Sequence, residues 1–391
     1  MEFSLISVPN AILKFNLACD YFNRSCVCYL NLQSMKKLLP FLFITFASYA
    51  VAFGQVKSDS ARHYVEKEIV QWEFTSKSVG DDFTIYIHFP PGYDTTKTKY
   101  PVLYMTDGDW NMTVAMNCFN MLRQDYNIKI EPLIVGIGYG NRPNKRSRDL
   151  DPGKGGPKFL EFIQTEVMPF IEKQYRVTDN KTLYGYSLGG MFTIYTLFEH
   201  PEIFNMIGIG APGNAGNDLM IEAKKYFATH KDLNTKVFLG VGSYEHENVK
   251  HIDEFKTYID KQNFKAFDLR TGITPDAAHG AALAQVMQNA IKFFYCTQHK
   301  SIEVAASELN SYTGTYQIAG NADSKLMFYI EKNNLFLKDG EMPLQLVPFT
   351  KDGFFIYENE KMDIVFKEEA GKRYFLIESP NEKPTRFDKV N

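Results

Sequence analysis

The chain has 391 residues, 45% of them hydrophobic, 15% aromatic and 23% charged, with a formal net charge of −3. That is a globular composition, long enough for one large core and a smaller one. It excludes a basic nucleic-acid-binding surface, and there is no like-charged tail and no repeat of fixed period.

In chain order, the first distinctive segment begins at Met35. Met35-Lys36-Lys37 is a positive start, "LLPFLFITFASYAVAFGQ" is an apolar run, and Ala50, Ala52 and Gly54 precede Gln55. The pattern reads as a secretory signal peptide over 35–54. Residues 1–34 then read as an extension upstream of the true start. The apolar run is short for a stable span, so a periplasmic or secreted chain with no membrane span after cleavage is expected. Three of the five cysteines, Cys19, Cys26 and Cys28, fall in that extension. Cys118 and Cys296 remain, too few for a disulfide framework, and are expected to be buried thiols.

From residue 62 to 297 the pattern alternates. "EIVQWEFTSKSVGDDFTIYIHFPPGY" predicts two strands about a Gly80-Asp81 turn. "YPVLYMTDGD" and "EPLIVGIGYG" predict buried strands. "GGPKFLEFIQTEVMPFIEKQY" carries apolar residues near helical spacing. Then follow the strand "KTLYGYS", a helix over about 189–199, and the strands "MIGIGAPG" and "KVFLGVGS". A helix over about 249–262, the strand-like "FKAFDLRT" and a helix over about 280–295 complete this part. Alternation of this kind predicts an α/β fold with a mostly parallel central sheet and helices on both faces. In such sheets the ligand sites lie at the carboxyl ends of the strands.

Beyond "CTQHKSIEVAA" the helical periodicity stops. Residues 303–391 hold short alternating runs, "KLMFYIE", "NLFLK", "LQLVPF", "GFFIYE", "MDIVFK" and "RYFLIE", broken by Asn333-Asn334, Asp339-Gly340, Asp352-Gly353 and Ala370-Gly371. They predict a separate small antiparallel β domain, a barrel or a sandwich.

The chemistry centres on "TLYGYSLGGMFT". A Gly-x-Ser-x-Gly alone is a weak signal. At a strand-to-helix joint it places Ser187 in a tight turn of positive φ, which closes only if residues two before and two after are small; Gly185 and Gly189 are. The turn lifts the Ser187 hydroxyl above the sheet edge, at a helix N-terminus that favours developing negative charge. A serine needs a base, and in this arrangement the order is Ser, acid, His. His279 in "TPDAAHGAALAQ" sits between the last strand and the last helix and is the expected base. The acid should follow "KVFLGVGS"; Glu245 is nearest the strand end and Glu247 is the alternative. Two N–H donors for a tetrahedral intermediate are expected from the backbones of Leu188 and Asp109. Trp110, Met112, Tyr139 and Tyr186 are candidate walls of a substrate pocket, with core packing as the alternative. Arg146 and Arg148 are candidate contacts for an anionic or catechol-rich substrate, with a salt bridge to Asp149 or Asp151 as the alternative. His246 and His251 lack a recognisable ligand spacing and read as part of a polar, solvated loop, so no metal and no organic cofactor is expected.

Taken in order and spacing, "YPVLYMTDGD", "VGIGY…RSRDLDP", "LYGYSLGGMF", "VGSYE" and "AHG" resemble the esterase D-like family of α/β-hydrolases over about 65–297. The first of these and "RSRDLDP" look most like esterases that cut trilactone siderophores. The resemblance implies Ser187 as nucleophile, His279 as base, Glu245 as acid, and Leu188 and Asp109 as oxyanion-hole backbones. Two departures stand out. The acid is Glu where much of the family has Asp, and Asp109 brings a carboxylate beside the oxyanion hole. "LNSYTGTYQI" and "GFFIYENEKMDIVF" resemble the small β-barrel domain appended to many secreted bacterial serine hydrolases. The expected function is a secreted serine esterase acting on a small-molecule or oligosaccharide ester. A carbohydrate esterase and a non-catalytic binding protein on a hydrolase scaffold are the alternatives.

Overall fold

The computed structural model describes residues 69–213, 216–321, 323–340, 342–357, 359–379 and 383–390. The expected signal peptide and the extension before it lie outside these residues.

Strands β1 (Ile69–Ser76), β2 (Asp81–His88), β3 (Tyr100–Met105), β4 (Leu133–Gly138), β5 (Val177–Tyr186), β6 (Met206–Gly210), β7 (Lys236–Gly242) and β8 (Asp268–Thr274) form one sheet in the order β1-β2-β4-β3-β5-β6-β7-β8. β1–β2 and β2–β4 are antiparallel, and every pairing from β4 to β8 is parallel. The central strands "YPVLYM", "LIVGIG" and "MIGIG" are buried along their whole length. That follows from cover on both faces, which leaves no polar side to alternate with.

The helices are α1 (Gly108–Asp125), α2 (Arg146–Asp149), α3 (Gly156–Phe162), α4 (Met168–Gln174), α5 (Leu188–Glu199), α6 (Gly216–Phe227), α7 (His246–Gln262) and α8 (Leu283–Tyr295). α1 packs on α8, while α5, α6 and α7 pack in succession. Ile163–Val167 form a π-helical turn joining α3 to α4. Glu166 on that turn accepts hydrogen bonds from Ser76 Oγ, Lys77 N and Ser78 N at 3.1, 3.0 and 2.9 Å, and so ties down the β1–β2 turn. α1 and α6 were not expected from the sequence. His246 and His251, expected in a solvated loop, instead lie on α7, which begins one residue after Glu245. Cys118 and Cys296 are free and buried, and burial pushes both thiols up to about 12.

The C-terminal strands are β9 (Gly314–Gln317), β10 (Leu326–Glu331), β11 (Asn334–Asp339), β12 (Met342–Pro348), β13 (Gly353–Ile356), β14 (Asn359–Glu369), β15 (Lys372–Glu378) and β16 (Thr385–Lys389). They close an all-antiparallel eight-stranded barrel. A short helix, α9 (Ala306–Leu309), precedes it. Tyr316, Phe328, Phe366 and Phe375 fill its interior with edge-to-face and tilted ring contacts at 5.0–5.8 Å. The barrel meets the sheet domain at the C-terminal end of α1. There Tyr126 bridges to Glu360, and Asn359 Nδ2 donates to the Gln124 carbonyl at 3.4 Å. A groove at that junction is lined by Pro91, Tyr100, Tyr126 and Lys361. Tyr100 opens β3, so the barrel lies toward the amino end of that strand. No helix among the described residues is long and apolar enough to cross a membrane.

Candidate active site

Ser187 follows β5 directly and caps α5 with φ 61° and ψ −117°. Such a backbone is strained for any residue with a Cβ, and it persists only where its surroundings enforce it. Those surroundings are glycine contacts. A Cβ on Gly185 would stand 2.2 Å from the Gly189 carbonyl oxygen, and one on Gly189 would stand 2.3 Å from Thr106 Oγ1. Ser187 N donates to the Gly210 carbonyl at 2.8 Å, which fixes the turn to the end of β6. The side chain is half-buried, at the mouth of the first turn of α5.

Two loops that bond each other bring up the acid and the histidine. Ser243 N donates to Thr274 O at 2.9 Å and Tyr244 N to Ala277 O at 3.0 Å. Gly242 makes this approach possible, because a Cβ there would lie 2.3 Å from the Ala277 oxygen. His279 Nδ1 then lies 2.8 Å from Glu245 Oε2. Glu245 is held from behind by Gly242 N on Oε1 at 3.0 Å and Asn248 Nδ2 on Oε2 at 3.2 Å. The Glu245 side chain is 12% exposed and that of His279 is 45% exposed, so the carboxylate is sheltered and the imidazole faces outward. Glu247 is exposed on α7. The Tyr186 hydroxyl donates to the His279 carbonyl and its ring packs 5.3 Å from the imidazole. Tyr186, the residue before Ser187, therefore supports the histidine loop and is itself buried. The structure brings His279 to Glu245 but shows no hydrogen bond between Ser187 Oγ and His279 Nε2 among the described residues.

Asp109 lies in the first turn of α1 and Leu188 in the first turn of α5, where backbone N–H groups have no acceptor within the helix. The Asp109 carboxylate is itself hydrogen-bonded. It accepts from Tyr86 Oη, Tyr139 N and Gly140 N, each at 2.8 Å. The charge that threatened to oppose an oxyanion is thus spent on three donors from β2 and from the loop after β4. Gly108 permits that position, since a Cβ on it would lie 2.6 Å from the Gly136 carbonyl carbon.

The remaining candidates divide. Trp110 is exposed next to Asp109. Tyr139 and Met112 are buried; the Tyr139 ring packs on Phe83, and its hydroxyl donates to Asp149 at 2.9 Å. Both are core residues here. Arg148 pairs with Asp149 at 2.6 Å and with Asp81 at 2.9 Å, as the salt-bridge alternative expected. Arg146 pairs with neither Asp149 nor Asp151; its partner is Asp107, at 2.7 Å. Asp107 was missed from the sequence, although it precedes Gly108 in "TDGD". It is 3% exposed and left-handed, with φ 55°. Tyr244, beside Glu245, is a second exposed aromatic at this edge.

A mostly parallel sheet with a strand–serine–helix turn and a histidine bound to an acid at the strand ends defines the α/β-hydrolase class. Residues 76–259 match the family model described as "Putative esterase". Among curated relatives, the chain is 26% identical over 214 residues to the siderophore triacetylfusarinine C esterase of Aspergillus fumigatus, covering 49% of this chain and 73% of that one. It is 26% identical over 228 residues to the ferri-bacillibactin esterase BesA of Bacillus subtilis, covering 49% and 78%. The BES protein from Bacillus cereus shares the fold, with a TM-score of 0.52 and 23% identity over 61% of this chain and 98% of that one. The family model and the two curated relatives support an esterase or hydrolase function, the solved structure supports the fold, and each match covers only part of this chain.

Proposed function

We propose that the chain is a serine carboxylic ester hydrolase. Ser187 is the nucleophile, His279 the base and Glu245 the acid, and the N–H groups of Leu188 and Asp109 form the oxyanion hole. The observation that carries this reading is the 2.8 Å Glu245–His279 bond beside a serine held at φ 61° on a helix N-terminus. The Nδ1 contact fixes the tautomer, leaving Nε2 free to take the Ser187 proton. Ser187 Oγ attacks the ester carbonyl, and the two N–H groups hold the resulting oxyanion. Collapse expels the alcohol, which leaves with the proton from His279. Water, deprotonated by the same nitrogen, then releases the acid and restores Ser187.

The substrate class we propose is a siderophore-type ester. The names of the curated relatives support it, as do two exposed aromatic side chains, Trp110 and Tyr244, flanking the site. The purified chain from about residue 55 onward should hydrolyse p-nitrophenyl acetate, butyrate and octanoate, and it should convert a catechol trilactone to its linear ester faster than it releases ferulate from methyl ferulate. Faster release of ferulate would assign a carbohydrate esterase. Catechol binding without turnover of any ester would assign a binding protein.

The same reading takes the chain to be exported through residues 35–54. Amino-terminal sequencing of the exported chain is expected to start near Gln55; a start at Met1 or Met35 would contradict it.

A further inference from the structure

Arg146 stands between the two segments that carry the oxyanion donors. Its Nε donates to Asp107 Oδ1 at 2.7 Å and its Nη2 to Asp107 Oδ2 at 3.1 Å, a fork on a buried carboxylate. The same Nη2 reaches the Tyr186 carbonyl at 3.5 Å, and the guanidinium carbon lies 5.7 Å from the centre of the Trp110 ring. Asp107 caps α1 two residues before Asp109, and Tyr186 stands two residues before Leu188. The two segments touch without slack, because a Cβ on Gly189 would lie 2.3 Å from Thr106 Oγ1 and 3.3 Å from Asp107 Oδ2. Thr106 N also donates to Tyr184 O at 3.2 Å. Burial pushes the Asp107 carboxyl above the usual carboxylate range, and Arg146 works against that shift.

We propose, resting on the serine-esterase reading above, that Arg146 is a positioning residue that holds the two halves of the oxyanion hole in register through Asp107. Its charge is committed there and is not offered to the substrate. An oxyanion hole acts only when both donors lie at hydrogen-bond distance from one developing charge. Asp107 holds a left-handed backbone at the start of α1, a conformation that persists only while its surroundings enforce it. The forked guanidinium is the ionic contact on the Asp107 carboxylate and also reaches the Tyr186 carbonyl, while Thr106 Oγ1 donates to Asp107 Oδ2 at 3.4 Å. A lysine ammonium cannot reproduce the fork. Arg148 serves as a contrast: it pairs with Asp149 and Asp81 and with neither donor segment.

The test uses p-nitrophenyl acetate, whose acyl group is small and uncharged, with phenylboronate as a tetrahedral mimic that binds the serine. Arg146→Gln is expected to lower kcat by about 10- to 100-fold with KM within about twofold. Its phenylboronate affinity should fall in the same proportion. Arg146→Lys should lie between the two. Asp107→Asn should show a similar loss, and the double variant Arg146→Gln/Asp107→Asn should be no worse than the poorer single variant, because both act through one link. Unchanged kcat and boronate affinity, with only a raised KM for a catechol ester, would overturn the proposal and make Arg146 a substrate contact. If Arg146→Gln does not fold, Arg146→Lys carries the same comparison, and parent-like kcat and boronate binding there would overturn it. Parent turnover that is lost in Ser187→Ala is the control; its absence would count against the esterase reading and not against Arg146.

Discussion

Ser187→Ala is expected to cut ester hydrolysis by about 10⁴- to 10⁶-fold, with the thermal unfolding midpoint essentially unchanged. The loss is large because the covalent path ends with the hydroxyl; only positioning and the two N–H donors remain. The fold should persist because the turn is held by the backbone bond from Ser187 N to Gly210 O and by the contacts of Gly185 and Gly189, none of which uses the hydroxyl. Alanine carries the same Cβ as serine and meets the same strain at φ 61°. Initial rates on p-nitrophenyl butyrate, with a thermal melt of both proteins, check the prediction. A variant retaining a tenth of parent activity would remove Ser187 from the chemistry.

Glu245→Gln is the second large effect, an expected loss of about 10²- to 10⁴-fold in kcat with little change in KM. Glutamine keeps the shape and can still accept the Gly242 N–H on its oxygen. Its amide nitrogen then faces His279 Nδ1 as a donor. That favours the tautomer with the proton on Nε2, which cannot receive the proton of Ser187. The negative charge that stabilises the imidazolium is lost as well. Glu247→Gln, on an exposed residue of α7, is expected to behave as the parent does. Equal losses in the two variants, or a loss in Glu247→Gln alone, would move the acid to Glu247.

The serine turn and the Glu245–His279 pair on which the proposed mechanism rests are legible in the sequence because each residue sits on a short strand-end motif with its own glycine: "GYSLGG", "VGSYE" and "AHG". Geometry that depends on partners remote in sequence was not legible. Asp109 reads as a charge beside an oxyanion hole until Tyr86, Tyr139 and Gly140 arrive from 23 to 31 residues away. Arg146 invites a partner among its neighbours, yet it bonds Asp107, 39 residues upstream. The helix α1 was hidden for a different reason. Met112, Ala115, Met116, Phe119 and Leu122 keep helical spacing, but Asn111, Thr113, Asn117 and Asn120 interrupt them with poor helix formers. In the barrel, six strands announce themselves by alternation. β9 and β16, four and five residues long, close it, and the pairing of chain ends that joins them is not a local signal.

The most direct test of the central claim is covalent. A fluorophosphonate should react with the intact chain to give a single adduct, and peptide mapping should place it on Ser187 within "TLYGYSLGGMFT". Labelling should be abolished in Ser187→Ala and slowed in Glu245→Gln. An adduct on another residue, or no adduct in a chain that still hydrolyses p-nitrophenyl butyrate, would contradict the assignment of Ser187 as the nucleophile.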